Sequence, residues 1–99
     1  MNLNNCPVRK ASALIETPWT ALIIKELLSG KKSNVELESA IDDADPRTLS
    51  LRLRTLIKEG FITRKIHQTF PITSDYELTD KGKQFELVIN AMTKFGQSL

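Results

Sequence analysis

Apolar residues recur at helical spacing in four stretches of this chain. Leu49, Leu53, Leu56 and Ile57 follow i, i+4, i+7, i+8, which places them on one side of a helix facing a core. Trp19, Ile23, Ile24, Leu27 and Leu28, with Leu22 beside them, make a wider stripe and predict the centre of that core. Val8, Ala11, Leu14 and Ile15 predict a short first helix with that face inward. Phe85, Val88, Ile89, Met92 and Phe95 fall in register on a last one.

Punctuation sets the boundaries. Asn5 or Cys6 can cap a helix over Pro7 to Ile15, and Thr17 caps one that Pro18 opens and Gly30 ends. Ser33-Asn34-Val35-Glu36 has the S-x-x-E form of a capping box, predicting a short helix to about Ile41. Asp42-Asp43-Ala44 is a tight connection into the next helix, for which Asp45 is the cap, Pro46 the first residue and Gly60 the stop. Two helices so joined have the helix-turn-helix pattern.

After Gly60 the period shortens. Phe61 to His67 and Asp75 to Leu78 are rich in β-branched and aromatic residues. Between them Gln68 to Ser74 contains Pro71, which cannot donate to a sheet ladder and fits a hairpin loop. Thr79 then caps the last helix. The expected fold is mainly α with a small β-hairpin wing, a winged helix-turn-helix in the order α-α-(short β)-α-α-β-β-α, with residues 1–99 as one domain.

Ninety-nine residues at 40% hydrophobic content leave no room for a second core. Burial by dimerisation would help a domain this small. A net charge of +2 says little about partners. Its distribution says more: Glu36, Glu38, Asp42, Asp43 and Asp45 immediately precede Arg47, Arg52, Arg54, Lys58, Arg64 and Lys65, which only Glu59 opposes. One cysteine, Cys6, excludes an intrachain disulfide and a cysteine-built metal site, and the lone His67 excludes a histidine cluster. No cofactor is expected. There is no signal-peptide pattern and no apolar run approaches the roughly 20 residues a bilayer span needs, so a cytoplasmic protein is expected.

The segment from Asp45 to Lys65 carries the candidate chemistry. Opposite its apolar stripe it places Arg47, Thr48, Ser50, Leu51, Arg54 and Lys58, a face suited to a DNA groove. Thr48 and Ser50 give a small polar first turn that lets the backbone approach bases. Arg47 and Arg54 are the candidates for base edges, since bidentate arginine–guanine bonding is the commonest specific pairing. Leu51, off the stripe, fits either a thymine methyl or plain packing. Arg52 lies nearer Leu49 and fits bracing. In the hairpin, Lys65 and His67 share one strand face and Arg64 the other. Arg64 and Lys65 are candidate phosphate contacts, with a solvated surface the alternative reading for Lys65. Cys6 sits at a helix start beside Arg9 and Lys10, a setting in which thiols are reactive; the alternative is a small packed hydrophobe.

These residues resemble the HxlR-type winged helix-turn-helix regulators, relatives of the MarR-type repressors. The matching positions are Cys6-Pro7, Trp19-Thr20, Leu27-Leu28 with Gly30, Glu36-Leu37, Pro46-Arg47-Thr48-Leu49-Ser50, Arg52-Leu53, Leu56, Gly60, Arg64, Pro71, and Tyr76 with Leu78-Thr79 and Gly82. The resemblance implies a homodimeric transcription factor whose first and last helices form the dimer seam. It implies a fourth helix in the major groove of a pseudo-palindromic operator, a hairpin touching flanking backbone, and, as in some members, redox or electrophile sensing at Cys6. The chain departs from the pattern at Pro18, where the family usually has Lys, and at Asn34, where an aromatic is usual. Ser74 replaces an apolar strand residue, and Thr73 stands where many members have a wing arginine.

An enzyme is not expected, because no phosphate-binding glycine loop and no nucleophile beside a base is present. Two classes remain: a dimeric DNA-binding regulator, and a winged-helix protein–protein interaction module using the acidic cluster.

Overall fold

The computed structural model describes residues 6–99. The stripe over 19–28 folds as α2 (Pro18–Leu28) and buries Thr20, Ala21, Ile23, Ile24 and Leu27, with both isoleucines wholly enclosed. Trp19 is only half-buried, at the edge of this core. Thr17 holds the N-cap position, but its side chain makes no cap bond and its Oγ1 is buried without a partner among the described residues.

Around α2 are set α1 (Pro7–Leu14), β1 (Lys32–Ser33), α3 (Asn34–Ala40), α4 (Pro46–Lys58), β2 (Ile62–His67), β3 (Thr73–Leu78), α5 (Asp80–Lys83) and α6 (Phe85–Gln97). The strands form one antiparallel sheet in the order β1-β3-β2. The winged helix-turn-helix order is thus as expected, with two differences. Strand β3 begins two residues earlier, at Thr73, which shortens the hairpin loop to residues 68–72. The last helix is split at Gln84, which keeps helical dihedrals (φ −64°, ψ −19°).

Local chemistry closes the helix ends. In the capping box Glu36 N donates to Ser33 Oγ at 3.1 Å and Ser33 N to Glu36 Oε1 at 3.0 Å. The Ser33 backbone N–H foremost, and its hydroxyl next, hold the Glu36 carboxyl below its ordinary range. At the far end of α4, Gly60 takes φ +83°, Gly60 N donates to Ile57 O and Phe61 N to Leu56 O, a Schellman close that only glycine enters without strain.

Two expected inward faces lie partly in solvent. Helix α1 has no buried residue: Val8 and Ala11 are exposed, and only Leu14 and Ile15 pack partly on the core. On α6, Phe85 and Ile89 are buried while Met92 and Phe95 are exposed. The periodicity identified the apolar faces, but among the described residues nothing covers Val8, Ala11, Met92 and Phe95. Of the alternative α1 caps, Cys6 occupies the N-cap position without a side-chain bond, and Asn5 lies outside the described residues. No described helix is long and apolar enough to cross a membrane.

Candidate nucleic-acid interface

Helix α4 is positioned by its stripe: Leu49, Leu53 and Leu56 are buried against the core. That leaves Arg47, Ser50, Leu51, Arg54 and Lys58 exposed, on a helix whose thirteen residues include no carboxylate. Leu51 is 49% exposed, so its side chain is not part of the core.

Thr48 is placed differently from its neighbours. It is half-buried, its N–H donates to Asp45 Oδ1 at 2.8 Å and its hydroxyl to Asp45 Oδ2 at 3.0 Å. Its donors therefore serve the cap, and only the hydroxyl lone pairs remain for another partner. These bonds hold the Asp45 carboxyl below its ordinary range, with the Thr48 N–H the largest cause, its hydroxyl next and Arg47 a smaller one. Arg52 is half-buried on the other flank, where it lines a cavity with Lys10, Leu14 and Thr20, and its Nε has no partner among the described residues.

The hairpin separates its two cations. Its register pairs Arg64 with Tyr76 and Lys65 with Asp75. Ser74, Tyr76 and Leu78 are the buried positions of β3, so Arg64 belongs to the face that looks toward the body. There Arg64 Nε donates to Ser74 Oγ at 3.2 Å, and Arg64 lines a cleft of about 190 Å³ with Asn34, Pro46, Leu49, Ser50 and Ser74. Arg64 thus joins the α4 surface at its N-terminal turn. Lys65 stands on the opposite face with Asp75 and Glu77, and His67 there lies 2.8 Å from Asp75 Oδ2 through Nε2.

Asn34 and Ser74, both departures from the family pattern, touch. Strand β1 pairs Lys32 with Tyr76 and Ser33 with Asp75, and the next rung would be residue 34 against residue 74. The chain has by then turned into α3, so the Asn34 side-chain Oδ1 replaces the missing strand carbonyl and accepts from Ser74 N at 3.1 Å. The resulting chain of bonds, Asn34 to Ser74 to Arg64, carries polarity through a half-buried junction. Each substitution was visible singly in the sequence. Their contact, across 40 residues, had no local signal.

Cys6 is exposed at the start of α1. Among the described residues no group of three or more His, Cys, Asp or Glu converges as a metal site. A second surface is apolar: Val8, Leu87, Met92 and Phe95 are exposed on α1 and α6. Between those helices a cavity of about 190 Å³ is lined by Ala11, Leu14, Ile15, Phe61, Phe85 and Val88 with Lys81.

Comparison with known proteins gives one consistent result. Residues 14–99 match the model of a family described as HxlR-like helix-turn-helix. The chain is 35% identical to the HTH-type transcriptional regulator YvaP of Bacillus subtilis over 91 residues, covering 91% of this chain and 84% of that protein. It is 33% identical to the HTH-type regulator sll1512 of Synechocystis, over 92% of this chain and 67% of that one. Among solved structures, a MarR-family transcriptional regulator from Porphyromonas gingivalis W83 superposes with a TM-score of 0.91 at 30% identity, covering 98% and 95% of the two chains. The redox regulator HypR in its oxidised form superposes at 0.85 and 28% identity, over 95% and 97%.

Proposed function

Since the chain belongs to the HxlR-like helix-turn-helix family of transcriptional regulators, we propose that it works in the cytoplasm as a homodimer. In this reading it binds double-stranded DNA at a pseudo-palindromic operator through α4. The observation that carries this is the solvent face of α4, on which Arg47, Ser50, Leu51, Arg54 and Lys58 are exposed with no carboxylate among them. Arg47 and Arg54 take base edges, Ser50 and Thr48 let the first turn sit close, and Lys58 and Arg64 take phosphates. Lys65, on the other hairpin face, meets backbone only where DNA curves around the wing. One helix reads few base pairs, so two related by a dyad are needed, with half-sites about 10 base pairs apart.

The exposed apolar side chains of α1 and α6 are the seam of that dimer. Cys6, exposed at the start of α1, is its redox-responsive residue; two related structures are named as a redox regulator and as a diamide-treated form. With one cysteine per chain, its disulfide partner is the Cys6 of a second subunit or an external thiol.

The test is salt-dependent binding to duplexes selected from a random pool. A dimer neutralising about 6–10 phosphates loses roughly three to five decades of affinity between 50 and 200 mM salt. A flat response with no duplex selected would refute this reading and favour a protein-contact module.

A further inference from the structure

The hairpin ends in side chains that do nothing for the fold. Phe70 is 101% exposed, Ile72 66% and Ile66 47%, on a domain whose core side chains are buried. Three large apolar groups held in water, two in the hairpin loop and one at the end of β2, mark a contact surface. The tip, residues 66–74, reads IHQTFPITS and contains no Asp, Glu, Lys or Arg. Its position is specific: Ile72 lines the same cleft as Pro46, Leu49 and Ser50, so the tip stands beside the first turn of α4, on the side where Arg64 lies.

We propose that this tip is an apolar wedge that enters the DNA minor groove next to the major groove occupied by α4, with Phe70 partly unstacking one base step in each half-site. The proposal rests on the DNA reading above. The partner is nucleic acid because the tip is continuous with the cationic α4 face and free of carboxylates that phosphates would repel. The nearest acid on β3, Asp75, is turned to the opposite face and held by His67. The contact is apolar because Phe70 and Ile72 are the exposed large side chains of the loop, and Thr73 beside them is a neutral residue paired with His67. Phenylalanine, isoleucine and proline are residue types that wedge into minor grooves, kinking the duplex toward the major groove. Such a wedge selects steps that unstack easily, pyrimidine–purine steps above all, and so adds sequence preference without reading a base edge.

The experiment compares wild type, Phe70→Ala, Phe70→Leu and Arg54→Ala on a duplex recovered by the wild-type protein from a random-sequence pool. Binding is followed across a salt series, and 2-aminopurine is placed stepwise through the flanks. Because Phe70 touches no core residue, Phe70→Ala should melt as wild type does. The expected result is a loss of about 10- to 100-fold in affinity for Phe70→Ala with the slope of log K against log salt unchanged, since no ion is released by an apolar contact. The wild-type complex should brighten 2-aminopurine at one flanking step per half-site, and Phe70→Ala should not. Phe70→Leu should keep part of both signals. Wild-type affinity in Phe70→Ala, or no brightened step, overturns the wedge while leaving Arg54-dependent binding intact. A change in oligomeric mass in Phe70→Ala with DNA affinity unmoved would make the tip a protein contact and overturn it too. Failure of wild type to select any duplex would remove the underlying DNA reading as well.

Discussion

Removing the Asn34 side chain tests whether a single amide holds the wing to the helix-turn-helix. Asn34→Ala deletes the acceptor for Ser74 N–H and offers no replacement, because β1 has ended at Ser33 and the backbone at 34 already belongs to α3. Ser74 is 7% exposed, so water reaches its amide poorly. An orphaned buried donor costs about 1–3 kcal/mol, and the half-buried position of this bond places it in the lower part, about 1–2 kcal/mol. For a domain of this size each kcal/mol moves Tm by roughly 4–8 °C, so a fall of about 4–16 °C is expected at matched protein concentration. Asn34→Asp keeps an acceptor and adds a negative charge in the first turn of α3, where the helix dipole favours it, and should recover most of the loss. Thermal melts followed by circular dichroism supply the magnitude, and amide exchange at Ser74 supplies the place. An Asn34→Ala protein that melts within about 1 °C of wild type with Ser74 equally protected would refute the bridging role and the account of both substitutions.

Gly82→Ala should be more severe, since a Cβ there would stand 2.1 Å from Phe61 O and 3.0 Å from a Leu78 methyl; overpacking of this kind costs about 1–3 kcal/mol or more, read as a lower urea midpoint. The Asp45 and Glu36 caps predict acid sensitivity. Both carboxyls are lowered in the folded chain, so their stabilisation is present above the ordinary carboxylate range and is lost as pH falls through the lowered folded values. Asp45→Asn should flatten that acid limb in pH-dependent melts. Arg54→Ala should weaken specific binding by about 1–3 kcal/mol and relax one operator position, whereas equal loss on all sequences would reassign Arg54 to a phosphate. In gel-shift assays under diamide, Cys6→Ser should lose a response that wild type has, and identical responses would remove Cys6 from sensing.

How much of this was legible depended on distance along the chain. Asp45, Pro46 and Gly60 bounded α4 correctly because caps act within one turn, and the apolar stripe then fixed which face carried Arg47 and Arg54. Val8, Ala11, Met92 and Phe95 show the limit of periodicity: it identifies a face that wants cover without saying whether the same chain supplies it. The break at Gln84 escaped notice because its dihedrals stay helical and no proline marks it. The separation of Arg64 from Lys65 followed from strand alternation. Which of the two lies beside α4 did not, since that depends on the burial of Ser74, Tyr76 and Leu78. Phe70 falls within the stretch from Gln68 to Ser74 that the sequence marks only as a hairpin loop, and its complete exposure is what makes it a candidate contact.

The crowding at Phe61 ties two distant elements together. Its carbonyl accepts from Thr79 N at 3.0 Å and leaves no room for a side chain at Gly82, its ring meets Phe85 edge-on at 5.1 Å, and the Lys81 ammonium lies 4.6 Å above the same ring. The root of the wing and the base of α6 therefore share a joint without slack. Were two chains to pair through α6 as proposed, a tilt of that helix would bear on the root of the hairpin through one phenylalanine, the hinge point at which seam and wing meet.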